Sequence, residues 1–237
     1  MGTERAKERA ARFAASLVED GMIVGLGSGS TAELVVRALG ERLHDGLRLI
    51  GVATSQRTAA LARRVGIELR DPDSVDRIDL AIDGADEVEE RSLGLLKGRG
   101  GALVREKLVA RMARRLVIVV DDSKLVAALG ARFPLPVEVV PFGWRWCARW
   151  LEDLGGQPTL RCRPTGHPFR SDNGNLILDV AFGAIADPAW LDRTVKMLPG
   201  VVDHGLFLDM ADLVVVGSET GIRLLERSRT ASETPKR

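Results

Sequence analysis

The chain has 237 residues, of which 45% are hydrophobic and 28% are charged, and its formal net charge at pH 7 is +1. This length and composition are typical of a globular protein with a substantial core, in one or two domains. The near-neutral charge argues against a dedicated nucleic-acid binder, two cysteines are too few for a disulfide framework, and no apolar run is long enough to span a membrane.

Strands and helices alternate along the first half of the chain. The first predicted element is a helix over Ala6–Val18; its charged sequence lacks the apolar core of a secretion signal, so we expect a cytoplasmic protein. The segments that follow are, in order, the strand and glycine loop MIVGLGSGST, a helix over Ala32–Leu43, the strand LRLIGVAT, the helix SQRTAALARRVG, the strands IELR and IDLAIDGAD, a helix from Ala102, and the strand RLVIVVDDSK. This alternation is typical of βαβ units and predicts a parallel sheet.

The pattern changes at FPLPVEVVPFG, where three prolines within eight residues mark a domain boundary. The next segments predict a β-α-β-β-α-β order, the split βαβ arrangement: a strand over 137–140, a helix over 144–154, strands over 157–163 and 175–181, a helix over 188–197 and a strand over 201–208. ADLVVVGSETGIRLL then predicts a last strand and helix that return to the first domain. The predicted domains are 1–133 plus 209–227, and 134–208, with a disordered polar tail over 228–237.

The first candidate site is the glycine loop GLGSGST, from Gly25 to Thr31. Between a strand and a helix, such a loop directs backbone N–H groups at an anion, and its serine and threonine hydroxyls add donors. It is neither a Walker A loop nor a complete GxGxxG motif, and no acidic residue ends the following strand to hold a ribose hydroxyl. The loop therefore favours a small phosphate ester over a nucleotide. A plain tight turn, with Ser30 or Thr31 as the helix N-cap, would use the same residues.

The second candidate site is AIDGADEVEE, in which Asp83 closes an apolar strand and Asp86 follows past Gly84. Ligands bind at the carboxyl ends of parallel strands, where two carboxylates suit hydroxyl recognition, proton transfer or Mg²⁺ binding. An Asx-type turn is the structural alternative. The glutamates that follow, Glu87, Glu89 and Glu90, are interpreted as a solvated charge run.

The third candidate site is LLKGRGGALVREKLVA, where Lys97 precedes a glycine-rich loop and a helix. At 100° per residue, Glu106 falls on the apolar arc of this helix with Ala102 and Val109. A carboxylate on an apolar face is costly unless it is partnered, protonated or functional, and desolvation would raise its pKa toward the range of a general base. A structural ion pair with Arg105 or with a lysine of another element is the alternative.

The remaining candidates are single residues and small groups. Lys124, which follows a strand end in VVDDSKLV, could reach an anion or lie on the surface. The three histidines have no spacing for a metal or a catalytic triad, so we interpret His44, His167 and His204 as structural or exposed. The helical tryptophans predict core or subunit contacts: Trp144, Trp146 and Trp150. The basic patch Arg161, Arg163 and Arg170 lacks the interleaved aromatics of a single-strand nucleic-acid site.

Seven motifs together resemble one family. GLGSGSTA, DGADE, KGRGGALVREK, DDSK, FPLPVEVVP, DNGNLILD and PGVVDHGLF occur in the order seen in ribose-5-phosphate isomerase, type A. The resemblance covers nearly the whole chain, from about Gly21 to Gly221. The resemblance implies an α/β fold: a Rossmann-like parallel-sheet domain with an inserted ferredoxin-like α+β domain. It also implies a homodimer or homotetramer without metal or organic cofactor, which interconverts D-ribose 5-phosphate and D-ribulose 5-phosphate.

The resemblance also implies roles for the candidate residues. Glu106 would move a proton between C2 and C1 through a cis-enediolate, Lys97 would stabilise the oxyanion, and Asp83 would assist ring opening. The predicted substrate contacts are Ser28, Gly29, Ser30, Thr31, Asp83, Gly84, Ala85, Asp86, Lys97, Gly98, Arg99, Gly100 and Lys124. Two departures stand out: Arg99 interrupts the family's glycine run, and one extra residue lies between Asp86 and Lys97.

Other proteins of the same general architecture are the rival interpretations. Sugar-phosphate deaminases would need a histidine to assist ring opening, and no histidine falls in the candidate loops; lactonases and CoA transferases share the architecture as well. A sugar-phosphate-sensing regulator would normally add a DNA-binding module, for which 237 residues leave no room. Asp83, Lys97 and Glu106 together favour catalysis.

Overall fold

Residues 2–227 are described by the computed structural model, and the chain divides into two compact units. Within the described residues, the first unit contains 2–85, 105–124 and 209–227, and the second contains Asp86–Val104 and Leu125–Leu208. Compared with the division predicted at Pro134, residues 86–104 and 125–133 group with the second unit. The tail predicted over 228–237 lies outside the described residues.

The described elements include the long strands and helices expected from the sequence, together with several short strands. They are α1 (Gly2–Ser16), β1 (Ile23–Leu26), α2 (Ser30–His44), β2 (Ile50–Ala53), α3 (Gln56–Arg64), β3 (Glu68–Leu69), β4 (Ile78–Gly84), β5 (Glu87–Glu89), β6 (Leu95–Leu96), α4 (Leu103–Met112), β7 (Ala113–Asp121), β8 (Leu125–Val126), β9 (Leu135–Val139), α5 (Trp144–Asp153), β10 (Gln157–Leu160), β11 (Leu176–Ala181), α6 (Pro188–Lys196), β12 (Val201–His204), β13 (Leu206–Phe207), β14 (Leu213–Gly217) and β15 (Ile222–Glu226). Along residues 2–227, no helix combines the length and apolar character that a membrane crossing requires.

The first unit is built on a seven-stranded sheet in the order β15-β14-β7-β4-β1-β2-β3. All pairings are parallel except β14 with β15, which confirms the predicted parallel sheet. The central strands are buried along nearly their whole length, because helices cover both faces of such a sheet. Their runs of valine and isoleucine in RLVIVVD and LVVVG follow from this burial.

The strand register brings three loops to one edge of this sheet. Leu26 of β1 pairs with Ile82 of β4, and Asp83 pairs with Ile118 of β7. Because these strands are parallel, the glycine loop after β1, Asp83 at the end of β4 and the turn after β7 lie at the same carboxyl edge. That edge is where open α/β sheets bind their ligands.

One element of the first unit differs from the prediction. IRLLE forms the strand β15, and the predicted last helix is wrong. Ser218 to Gly221 makes a four-residue hairpin loop, in which the Ser218 N–H donates to the Gly221 carbonyl over 2.9 Å. Leu213 then pairs with Glu226 across the hairpin. Five residues after a tight turn complete the sheet edge more readily than they form a helix.

The second unit contains a four-stranded antiparallel sheet in the order β10-β11-β9-β12. With α5 and α6 it has the predicted β-α-β-β-α-β order and strand arrangement of a ferredoxin-like domain. Leu151 of α5 and Val195 of α6 are fully buried in one core with Val137 and Leu178 of the sheet. Both helices therefore cover the same face.

A second, small sheet in this unit was not predicted. Its order is β13-β6-β5-β8, and its strands are two or three residues long. Leu96 pairs with Glu87 on one side and with Leu206 on the other. This sheet fixes the backbone immediately before Lys97.

Candidate active site

The predicted site residues divide between the two units. The first unit holds Ser28, Gly29, Ser30, Thr31, Asp83, Gly84, Ala85, Glu106 and Lys124, and the second holds Asp86, Lys97, Gly98, Arg99 and Gly100.

In the first unit, the glycine loop and Asp83 are held together. Asp83 is 4% exposed, and its Oδ1 accepts the N–H groups of Ser28 at 3.0 Å and of Gly84 at 2.7 Å. A Cβ at Gly27 would stand 2.2 Å from the same oxygen, so only glycine permits this approach. The structure thus brings the first two candidate motifs into one arrangement.

The hydroxyl of Ser28 belongs to a network that the sequence did not reveal. Its Oγ lies 2.6 Å from Thr54 Oγ1, at the end of β2. Thr54 Oγ1 donates to the Leu26 carbonyl at 3.0 Å, and Thr58 Oγ1 donates to the Gly27 carbonyl at 2.9 Å. Both threonines are buried. The hydroxyls in ATSQRT, at the junction of a predicted strand and the next predicted helix, were the available signal for this support of the glycine loop.

The N-terminus of α2 has the character of an anion site. Its N-cap is Gly29, with φ +92° and no capping side chain, so the alternative with Ser30 or Thr31 as N-cap is not realised. Ser30 is exposed in the first turn and Thr31 is half-buried. The first N–H groups of a helix have no intrahelical acceptor, and the helix dipole adds partial positive charge there. A phosphate group matches both properties.

Two lysines lie near the end of β7. Lys124 is half-buried in the turn that follows this strand. Asp121, which is 1% exposed, accepts the Ser123 N–H at 3.0 Å and lies 3.8 Å from Lys7 Nζ in α1. Lys7 is therefore a further cation at the carboxyl edge of the sheet. The sequence did not identify Lys7 because it lies more than 100 residues before Asp121 in the chain.

Glu106 lies on the buried side of α4, as helical periodicity predicted, and is 4% exposed. One turn along, Val109 packs against β1: a Cβ at Gly25 would stand 2.6 Å from its Cγ1. Glycine at position 25 lets the helix approach the sheet this closely. Glu106 is thus a desolvated carboxylate on an element that the core holds fixed.

Lys97 is almost fully buried in the second unit, with 3% of its surface exposed. Its backbone N–H donates to the Gly205 carbonyl at 2.8 Å, and its Nζ lies 5.5 Å from the centre of the Phe207 ring. A cation over an aromatic face is attracted by the ring quadrupole. Gly98, with φ +103°, begins the loop that follows.

Arg99 has a defined place in this loop. Its N–H donates to Asp86 Oδ2 at 3.1 Å, so the extra residue before Lys97 does not separate the two motifs. Its guanidinium carbon lies 4.2 Å from the centre of the Phe133 ring. The side chain that interrupts the glycine run is therefore stacked on an aromatic residue.

The interpretation of Glu87 as part of a solvated run is wrong, because its side chain is fully buried. Its Oε2 accepts the N–H of Gly130 at 2.6 Å. Its Oε1 accepts those of Arg132 at 2.7 Å and Phe133 at 2.8 Å. Glu87 ties β5 to the 130–133 turn, which carries the ring beneath Arg99.

The remaining candidates have structural surroundings. His204 is 1% exposed, and its Nε2 lies 3.0 Å from the Asp192 carbonyl, as expected for a structural histidine. Among residues 2–227, no three side chains of the metal-binding types converge into a group that could hold a metal ion. Burial raises the pKa of the Cys147 thiol.

Comparison with known proteins decides the family. The protein-family model described as ribose 5-phosphate isomerase A (phosphoriboisomerase A) matches residues 50–221 of the sequence. The chain belongs to this family. Ribose-5-phosphate isomerase A of Thermomicrobium roseum is 96% identical over 236 residues, which are 100% of both chains. The Gloeobacter violaceus protein of the same name is 52% identical over 228 residues, 96% of this chain and 99% of the relative.

Solved structures of the family have the same fold. Ribose 5-phosphate isomerase A from Methanocaldococcus jannaschii superposes with a TM-score of 0.91 at 42% identity, covering 94% of this chain and 99% of the other. A D-ribose-5-phosphate isomerase in complex with phospho-erythronic acid gives a TM-score of 0.93 at 40% identity, covering 96% and 100%. The resemblance inferred from seven short motifs is confirmed, and so are the Rossmann-like and ferredoxin-like parts of the fold.

Proposed function

We propose that this protein interconverts D-ribose 5-phosphate and D-ribulose 5-phosphate, the isomerase step of the non-oxidative pentose phosphate pathway. The observation that carries the proposal is the buried carboxylate of Glu106 on α4, in a chain of the ribose 5-phosphate isomerase A family. A base in apolar surroundings is suited to removing a proton beside a carbonyl. The bound phospho-erythronic acid of a solved relative, a four-carbon acid phosphate, supports the substrate class.

The reaction uses three side chains. Asp83 assists opening of the furanose ring, which exposes the C1 aldehyde. Glu106 removes the proton from C2, and the electron pair shifts to give a cis-enediolate with negative charge shared between O1 and O2. Lys97 stabilises that charge. The stabilisation is most effective when the cation is already fixed and desolvated, because no reorganisation is then needed during the reaction. The proton on O2 moves to O1. The electron pair of the C1–C2 double bond then takes the proton back from Glu106 at C1, while O2 forms the carbonyl at C2, and this completes the ketose.

The remaining predicted contacts hold the substrate. The phosphate binds at the N-terminus of α2, from Ser28 to Thr31, with Lys124 and Lys7 supplying positive charge. Asp86 holds sugar hydroxyls, together with backbone groups of 84–85 and 98–100. Because the Arg99 side chain lies on Phe133, its contact with the substrate is made through the backbone.

Isomerase assays on ribose 5-phosphate with wild type and Glu106→Gln test the proposal. The amide keeps the shape of the side chain but cannot accept the C2 proton. We expect near-total loss of turnover while calorimetry still detects substrate binding. Glu152→Gln, which changes an exposed glutamate of α5, is the matched control and should keep full activity.

Two outcomes would contradict this proposal in different ways. Normal turnover by Glu106→Gln would show that Glu106 is not the catalytic base, and it would leave the substrate assignment unchanged. A wild type that is inert on ribose 5-phosphate and active on a six-carbon phosphate would overturn the substrate.

We propose a mechanism without a metal or organic cofactor. Asp83 Oδ1 already accepts two backbone N–H groups, and Asp86 Oδ2 accepts one, so these carboxylates are arranged for hydrogen bonding. Activity should stay within error of the untreated enzyme after dialysis against excess chelator. A loss that added Mg²⁺ restores would assign the two aspartates to a metal instead.

We also propose a cytoplasmic homodimer or homotetramer. Supporting this assembly, the second unit exposes large apolar side chains, with Phe142 94%, Met197 82% and Trp146 56% exposed. A contact between subunits would remove such apolar side chains from water, which is favourable. Light scattering coupled to size exclusion should give two or four times the chain mass of 25.7 kDa.

A further inference from the structure

Arg161 is the one residue of the predicted basic patch with a part-buried ion pair. It follows β10, and its Nε donates to Asp179 Oδ2 at 2.8 Å, while Nη2 donates to the other carboxylate oxygen. Asp179 belongs to β11, the neighbouring strand. The Arg161 side chain is 14% exposed and that of Asp179 is 24% exposed. This bidentate geometry fixes the plane of the guanidinium.

The remaining nitrogen of this guanidinium reaches the loop after Lys97. Nη1 donates to the carbonyls of Gly98 at 3.1 Å and of Arg99 at 2.9 Å. Across the Gly98–Arg99 peptide, the N–H points the opposite way and donates to Asp86 Oδ2. A guanidinium and a carboxylate thus hold one peptide group from its two sides.

The segment that begins at Arg161 also contacts the far end of the loop. The Phe169 N–H donates to the Arg161 carbonyl at 2.8 Å. Its ring occupies the place of a side chain at Gly101, where a Cβ would stand 2.5 Å from the ring carbons. Gly101 has φ +81°, a conformation that glycine adopts without strain. The loop is therefore held at 98–99 by charge and at 101 by an aromatic ring.

A loop with three glycines in four residues has many accessible conformations, and ordering it costs entropy. Lys97 can act on a developing oxyanion only if the backbone beside it is fixed before the substrate arrives. We propose that Arg161, oriented by Asp179, is a positioning residue that holds the 97–101 loop in its catalytically competent conformation. This inference rests on the proposed function, because Lys97 is the group that it positions.

Arg161→Met tests the inference, with Arg163→Met as the matched control. Both substitutions remove an arginine from the same segment, but Arg163 is exposed. We expect Arg161→Met to lower kcat about 10- to 100-fold, as misplacement of a catalytic group by about 1 Å does, and to change KM less. Arg163→Met should keep wild-type kcat. Circular dichroism and melting curves establish that each variant is folded.

A second readout separates positioning from general stability. The carboxylate of phospho-erythronic acid presents two oxygens on a planar carbon, and the enediolate presents two oxygens on planar carbons. The affinity of the enzyme for this acid should therefore depend on the loop conformation, as transition-state stabilisation does. Its inhibition constant should rise with the fall in kcat/KM for Arg161→Met. Asp179→Asn should give a smaller loss, and the double variant should lose no more than Arg161→Met alone, because both act through one guanidinium.

Three results would overturn the inference. The first is a folded Arg161→Met with wild-type kcat and inhibitor affinity. The second is additive losses in the double variant. The third concerns Arg161→Lys, which keeps the charge but cannot make the paired contacts, and which replaces Arg161→Met if that variant does not fold. Normal turnover by Arg161→Lys would contradict the inference. A wild type without activity on ribose 5-phosphate would instead contradict the proposed function. The wild-type assay shows this before any variant is compared.

Discussion

Gly27 shows how one missing side chain shapes the site. A methyl group there would meet the Asp83 carboxylate at 2.2 Å, inside any normal contact distance. Gly27→Ala should therefore displace Asp83 or the glycine loop, and we expect kcat/KM to fall at least about 10-fold. Steady-state assays on ribose 5-phosphate measure the loss.

The control for this substitution is Gly221→Ala. Nothing lies within 4 Å of a Cβ at Gly221, and its φ is outside the positive range that favours glycine. Its kcat/KM should equal that of the wild type. Full activity in Gly27→Ala would mean that Asp83 does not need its present position, and it would contradict the proposed role of Asp83 in ring opening.

At the residue scale, the sequence predicted positions that depend on local geometry. Helical periodicity was sufficient to place Glu106 on the buried side of α4, because three or four neighbours define the face. It could not predict the contact of Arg161 with the 97–101 loop, because these residues are 62 and 63 positions apart and no periodic pattern relates them. The burial of Glu87 depends in the same way on a turn more than 40 residues along the chain.

Among the elements, the short strand β5 is joined to a distant turn by one side chain. Glu87 accepts three backbone N–H groups of the 130–133 turn, and a glutamine amide would direct N–H against N–H at one of them. We expect Glu87→Gln to destabilise the protein by about 1–3 kcal/mol, seen as a melting temperature lower by roughly 2–12 °C.

Glu90→Gln is the comparison for this element. Glu90 lies three residues further on and is exposed, so its substitution should change stability by about 0.5 kcal/mol or less. Thermal melting of both variants by circular dichroism makes the comparison. Equal melting temperatures for the two would show that the buried contacts of Glu87 do not hold the turn.

The elements themselves were predictable where periodicity extended over enough residues. The long alternation of apolar strands and amphipathic helices identified the parallel sheet, and the later β-α-β-β-α-β order identified the second domain type. The strands of two or three residues in the small sheet carry no period, so tertiary pairing alone reveals them. IRLLE was assigned to the wrong element because only its pairing with β14 distinguishes a strand from a helical turn.

At the scale of the whole molecule, the natural spectroscopic and chemical probes are all in the second unit. The four tryptophans are Trp144, Trp146, Trp150 and Trp190, and the two thiols are Cys147 and Cys162. Fluorescence and thiol chemistry therefore report on the second unit, whereas far-ultraviolet circular dichroism reports on both. Unfolding studies of this chain need both kinds of signal to describe two cores.

The two thiols should differ sharply in the folded protein. Cys162 is exposed, whereas Cys147 lies on the buried side of α5 and is 2% exposed, and this burial raises its pKa and so lowers its thiolate fraction. Because the thiolate is the reactive species, an aromatic disulfide reagent should modify one thiol per chain promptly and the second only when the second unit opens or denaturant is added. Cys162→Ser should abolish the prompt phase and leave the slow one unchanged. Two prompt thiols in the wild type would mean that the core around Cys147 opens readily in solution.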